Sequence, residues 1–250
     1  MRSSQFFILD DGIRLNARLD VPEGSSRLVI VVHGFTGHME ETHITAVSGA
    51  FNTLGYATLR VDMYGHGHSD GAFRDHTLFK WMTNALTVID YARGLDFARE
   101  IYLCGHSQGG LLVMLAAAMR RELIRGLIPL SPAAMIPEIC RRGEMLGIPF
   151  DPDNIPEEIA FDDKTLSGNY LRVTQTIRVE DAIDRYDGPV LIVHGDADES
   201  VPVQVGIDAA RRYKNATLTL IPGDDHCYHR HLNKVLDAVK AWMTANFLTG

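Results

Sequence analysis

Ser107 stands in Gly105-His106-Ser107-Gln108-Gly109, between an apolar run and a helical one. A serine becomes an effective nucleophile when a neighbouring base takes its proton. A sharp strand-to-helix turn would push its Oγ out above a sheet. The helix N-terminus beyond it would aim backbone N–H groups at the reacting atoms. Side chains at Gly105 or Gly109 would crowd that turn, and Gly110 lets the helix pack closer. The plain alternative for Ser107 is a helix N-cap.

A base and an acid should follow on later strand ends. His194-Gly195-Asp196-Ala197-Asp198-Glu199 follows the apolar run Val190 to Val193, and Pro222-Gly223-Asp224-Asp225-His226 follows Thr217 to Ile221. His226 would take the Ser107 proton and return it to the leaving group. A carboxylate would orient the imidazole and stabilise its charged form. Sequence order leaves both Asp196 and Asp198 open for that acid.

The tetrahedral intermediate needs donors for its oxyanion. One is the backbone N–H of Gln108, the residue after the nucleophile. The other falls in His33-Gly34-Phe35-Thr36-Gly37, where Gly34 allows close backbone approach and Phe35 supplies the N–H. The polar stretch Asp62 to Gly71 reads as scaffold for that loop. His226, His229 and His231 are closely spaced, but no matching Cys or carboxylate spacing completes a metal site. His33, His66, His68 and His194 read as structural hydrogen-bonding groups. No metal and no cofactor is expected.

These residues need strands to present them. Leu28 to Val32 is a continuous apolar run, β-branched after its first residue, as a strand buried on both faces should be. Helices are predicted over 43–54, 78–92, 108–121, 203–213 and 232–247, the third of them amphipathic. Strands are predicted over 56–61, 101–104, 127–130, 190–193 and 217–221. This alternation implies a mostly parallel sheet flanked by helices. Residues 6–9 and 14–19 flank Asp11-Gly12, a hairpin signal, so the sheet opens with an antiparallel pair. Residues 131–187 break the rhythm, and six of the ten prolines lie in or just before them, at 129, 132, 137, 149, 152 and 156, which interrupts long helices. That stretch reads as a small lid. The expected organisation is a core of 1–132 and 188–250 with an inserted lid at 133–187.

The 250 residues suit one domain with an insertion, and the net charge of -8 argues against a nucleic-acid partner. Three cysteines do not make a disulfide framework. No apolar run reaches the ~20 residues of a membrane span, and no secretory leader is evident. The expected location is the cytoplasm.

Taken in order, these motifs resemble the α/β-hydrolase superfamily. That resemblance places the acid three residues after Gly195 and so selects Asp198. Leu130-Ser131-Pro132-Ala133-Ala134, Gly168-Asn169-Tyr170-Leu171-Arg172 and His33-Gly34-Phe35-Thr36-Gly37-His38 also look like the bacterial cinnamoyl (feruloyl) esterases. The resemblance implies a serine carboxylesterase acting on ferulate, caffeate or coumarate esters through an acyl-serine. Glu138 and Tyr170 would bind the ring hydroxyls. Phe161 would form an aromatic wall where close relatives carry a tryptophan, and this lid contains no Trp. The partner would be a small-molecule ester, and a homodimer is compatible with the resemblance alone. Monoacylglycerol lipase, general short-chain esterase and a non-catalytic ligand-binding protein are the alternative readings.

Overall fold

The computed structural model describes residues 1–248; the expected core boundary at Gly250 lies outside the described residues. The chain opens with β1 (Arg2–Asp10), β2 (Ile13–Val21), β3 (Arg27–Val32), α1 (Thr42–Thr53), β4 (Ala57–Val61) and α2 (Leu78–Arg93). Then come β5 (Glu100–His106), α3 (Gln108–Met119) and β6 (Ile124–Leu130). The insertion carries α4 (Ile136–Arg141), β7 (Glu144–Met145), β8 (Ile148–Pro149), β9 (Glu158–Phe161), β10 (Lys164–Ser167) and α5 (Gly168–Gln175). The chain returns through α6 (Val179–Arg185), β11 (Val190–Gly195), α7 (Val203–Arg212), β12 (Ala216–Ile221) and α8 (Leu232–Phe247).

Eight strands form one sheet in the order β1-β2-β4-β3-β5-β6-β11-β12. β1 and β2 pair antiparallel around Asp11 and Gly12, both at positive φ, and β2 also runs antiparallel to β4. The pairs from β4 to β12 are parallel. The alternation along β3 shows why its sequence is apolar throughout. Leu28, Ile30 and Val32 enter a core beneath α2 and α3, while Val29 and Val31 enter a second core beneath α1 and α8. A strand covered on both faces has no solvent side to mark with polar residues.

The chain winds outward from β3 to β4, then crosses back to β5 on the other side of β3. The loops leaving β3 and β5 therefore diverge, opening a crevice at the carboxyl ends of the strands. Val32 pairs with Gly105, so the two site loops leave the sheet side by side.

Three features depart from expectation. α3 is not amphipathic: every residue from Gln108 to Ala117 is buried, because the helix is enclosed by the sheet, α2 and α6. The stretch 133–187 includes α6, which packs on α3 as part of the helical layer and not over the crevice. The prolines also act differently from simple breakers. Pro137 starts α4, where its missing N–H costs nothing, and Pro149 ends a two-residue strand. Among the described residues no helix is long and apolar enough to cross a membrane.

Candidate active site

Ser107 has φ 56° and ψ -120°, a conformation costly for any residue with a Cβ. The surrounding glycines explain how the turn persists. A Cβ at Gly105 would run into the Gly109 carbonyl, and one at Gly109 into the His33 and Val32 carbonyls. A Cβ at Gly110 would lie 2.9 Å from Pro132 Cα. Backbone therefore touches backbone on all sides of the serine, which fixes its direction. The Ser107 N–H donates to the Leu130 carbonyl at 2.9 Å, tying the turn to β6.

His226 Nδ1 lies 2.7 Å from Asp198 Oδ2. A carboxylate only accepts, so the proton sits on Nδ1 and Nε2 is left as the basic nitrogen. Asp198 Oδ1 accepts the N–H groups of Ser200 and Val201 at 2.9 and 2.8 Å. His194 Nε2 lies 3.3 Å from Oδ2, so a second histidine faces the same carboxylate. Burial opposes ionisation of Asp198, but the hydrogen bonds from His194 and His226, the charge of His226 and the Val201 amide outweigh it. The carboxyl is held well below the usual range and stays ionised.

Asp196, the competing acid, has a different job. Its Oδ1 accepts the Gly223 N–H at 2.6 Å and ties the two loops together. Asp224 accepts the N–H groups of Asp225, Arg230 and His231. His229 is engaged by Asp225 at 3.1 Å.

The loop after β3 is clamped from below. His33 Nε2 accepts the Met63 N–H at 3.0 Å, so its Nδ1 carries the proton and donates to the Gly34 carbonyl at 2.8 Å. His66 Nε2 reaches the Phe35 carbonyl. Asp62 collects the Met39 and His68 amides and the Asn16 side chain at 2.8, 3.0 and 2.8 Å. Burial, reinforced by the neighbouring His66, pushes His33 down to about 3, so it is neutral at neutral pH. No loop or side-chain hydrogen bond among the described residues takes the Phe35 or Gln108 N–H.

Ser107, His226, Phe35 and Phe161 line one cleft of about 920 Å³. Its apolar wall comes from the insertion: Met135, Ile136, Ile139, Met145, Leu146 and Ile148. Thr36, Glu41, Glu199 and Ser200 supply polar lining from core loops. Phe161 packs on Phe35 with ring centroids 5.5 Å apart.

Two expected contacts are not brought to the cleft. Glu138 is 46% exposed in its side chain, and its carboxylate is taken by Arg141 and Arg142, each at 2.9 Å. Arginines at i+3 and i+4 on a helix hold it on the outer face, a spacing visible in the sequence. Tyr170 is fully buried, and its hydroxyl donates to Gln108 Oε1 at 2.6 Å. That bond ties α5 to the first residue of α3. Tyr170→Phe should lower kcat several-fold with KM for methyl ferulate unchanged, and cost about 1–3 kcal/mol of stability. A rise in KM with kcat intact would instead put the hydroxyl on substrate.

His106 is a residue that motif reading passes over. Its Nε2–H donates to the His226 carbonyl at 2.8 Å, and its Nδ1 accepts from His43 Nε2 at 3.1 Å. The period-two alternation of β5 carries the signal: Cys104 enters the core beneath α1 and α8, so His106 faces the same side.

The family described as serine aminopeptidase, S33, matches residues 24–147. Among solved structures, Est1E from Butyrivibrio proteoclasticus, with ferulic acid bound, matches with a TM-score of 0.95 and 59% identity, covering 98% of this chain and 100% of that one. Human mitochondrial palmitoyl-protein thioesterase ABHD10 is 27% identical over 208 residues. That match takes in 80% of this chain, which spans just under two thirds (66%) of the thioesterase's length. Mouse monoglyceride lipase is 26% identical over 278 aligned positions, covering 94% of this chain and 88% of the lipase. With an identity of 59% to Est1E along nearly the whole of both chains, the protein belongs to the α/β-hydrolase family and is a serine ester hydrolase.

Proposed function

We propose that the protein hydrolyses esters of hydroxycinnamic acids, with Ser107 as nucleophile, His226 as general base and then acid, and Asp198 as its orienting carboxylate. The observation that carries the proposal is a single cleft lined by Ser107, His226 and an apolar insertion wall ending in Phe161. Its volume suits a drug-sized aromatic ester. The ferulic acid held by Est1E supports the same acyl group here.

In this mechanism Ser107 Oγ attacks the ester carbonyl while its proton passes to His226 Nε2. The Phe35 and Gln108 amides receive the oxyanion, each contributing a few kcal/mol at the transition state. His226 then protonates the departing alkoxide, leaving an acyl-serine. Water attacks the acyl carbonyl as His226 takes its proton, the bond to Ser107 Oγ breaks, and His226 returns the proton to that oxygen as the free acid departs. No cofactor takes part. The part of the insertion ahead of α6 acts as the lid that shapes the acyl pocket. Three free cysteines fit a reducing compartment, and a cytoplasmic site of action is included in the proposal.

The test compares kcat/KM for methyl ferulate, p-nitrophenyl butyrate and monoolein. Methyl ferulate should lead, and Phe161→Ala should lower its value about tenfold while leaving butyrate within about twofold, since a planar ring loses more than a short chain when an aromatic wall goes. High turnover of monoolein with little on methyl ferulate would replace the hydroxycinnamate reading by an acylglycerol one.

A further inference from the structure

Beside the triad, on the core side of the cleft, His43, His106 and Cys227 bring together Nε2, Nδ1 and Sγ. The three kinds of ligand atom lie within 4.8 Å of one another. We propose that this cluster is a binding site for a soft divalent cation, Zn²⁺ or Co²⁺ in the laboratory, and that its occupation suppresses turnover. Two imidazoles and a thiolate are a ligand set that selects such ions over Mg²⁺ or Ca²⁺.

The spacing needs little change. Two Zn–N bonds of ~2.05 Å at a tetrahedral angle hold their nitrogens about 3.3 Å apart. His43 Nε2 and His106 Nδ1 are already 3.1 Å apart, bridged by one proton. The ion takes that proton's place. The His43 proton moves to Nδ1, the Cys227 thiol loses its proton to solvent, and the ion gains two N bonds and one S bond. His106 keeps its Nε2–H on the His226 carbonyl. The fourth position is left for water, on the side where Cys227 meets the cleft.

The electrostatics agree. Burial, with His226 and His229 nearby, pushes His43 down to about 4, and burial also holds His106 well below the usual histidine range, so neither ring carries a second proton to shed. Cys227 is pushed up to about 11, first by burial and then by the negative charges of Glu41, Asp225 and Asp198. That same negative field attracts a cation, and binding should tighten as pH rises.

Occupation matters because of where the site lies. The His106 and His226 rings are 4.7 Å apart. A cation there opposes the positive charge that His226 must acquire when it takes the Ser107 proton. The inhibitory half of the proposal rests on the esterase mechanism above; the binding half does not.

The experiment titrates the metal-free protein and its Cys227→Ser variant with Co²⁺ and, separately, measures inhibition by Zn²⁺ against each protein's own metal-free rate. A sulfur-to-cobalt charge-transfer band saturating at one ion per chain is expected, absent from the variant. The Zn²⁺ concentration for half-inhibition should rise at least about tenfold in the variant. No charge-transfer band, a band without inhibition, or equal inhibition of both proteins would each overturn the proposal. Because the band is read without substrate, its loss is separable from a failure of the esterase reading.

Discussion

Ser107→Ala should lower kcat on methyl ferulate by at least about 10⁴-fold, with KM changed by no more than a few-fold. The variant loses the attacking oxygen, so the acyl-serine cannot form. It keeps the clamped loop after β3, the first turn of α3 and the insertion wall, so substrate should still bind. The glycine contacts around the turn do not involve the serine hydroxyl, and the fold should survive the change. Asp198→Asn gives a graded companion. It leaves the shape intact but can favour the wrong imidazole tautomer, a change worth about 10⁴ in related triads. Single-turnover kinetics would separate binding from chemistry. Retention of more than about a hundredth of the rate in Ser107→Ala would remove Ser107 as nucleophile.

Mild acid should unfold the protein. Burial depresses His33 to about 3 and His43 to about 4. It takes His76 to about 3 as well, with His66 and His33 adding to the effect. Burial also lowers His66 and His106. An unfolded histidine takes up its proton near ~6.5, so below that pH the unfolded chain binds protons that the folded chain refuses. The stabilisation is complete above about 6.5 and drains away as pH falls towards 3–4. Each such group contributes up to about 1.4 kcal/mol per pH unit in that window. Three together lose roughly 4 kcal/mol per unit, against a total stability of about 5–15 kcal/mol. Urea midpoints should be level from pH 8 to 7 and drop steeply by pH 5. His76→Asn should remove about one proton from the slope, whatever it does to the starting stability. His76 Nδ1 holds the Phe73 carbonyl at 2.6 Å, while its Nε2 has no partner among the packed rings. A flat urea midpoint between pH 7 and 5 would show that these imidazoles accept protons without loss of the fold.

The sheet and its loops were written plainly in the sequence because each is governed by local physics. A β-branched run between polar ends, as at Val29 to Val32, has few alternatives. Glycines at 105, 109 and 110 flank a turn that no other residue could make. The acid is harder. Asp196 and Asp198 are two residues apart on one loop, and only the structure shows Asp196 spent on the Gly223 amide. The insertion was least legible. Its hairpins, β7–β8 and β9–β10, have strands of two and four residues, too short for periodicity to register. The six residues of α4 do not fix which face Glu138 occupies until its arginines are considered. The burial of Tyr170 and its bond to Gln108 are not legible in the sequence, because packing depth is a property of the assembled layers. His106 needed a view across three elements, α1, β5 and the loop before α8.

The hydrogen bond from Tyr170 to Gln108 has a mechanical consequence. Tyr170 sits on α5, inside the insertion, while Gln108 begins the helix that carries the nucleophile. Leu171 and Thr174 are buried on the same helix, so α5 is rooted in the core like a post. An opening that swung the whole insertion aside would have to uproot that post and disturb the serine turn with it.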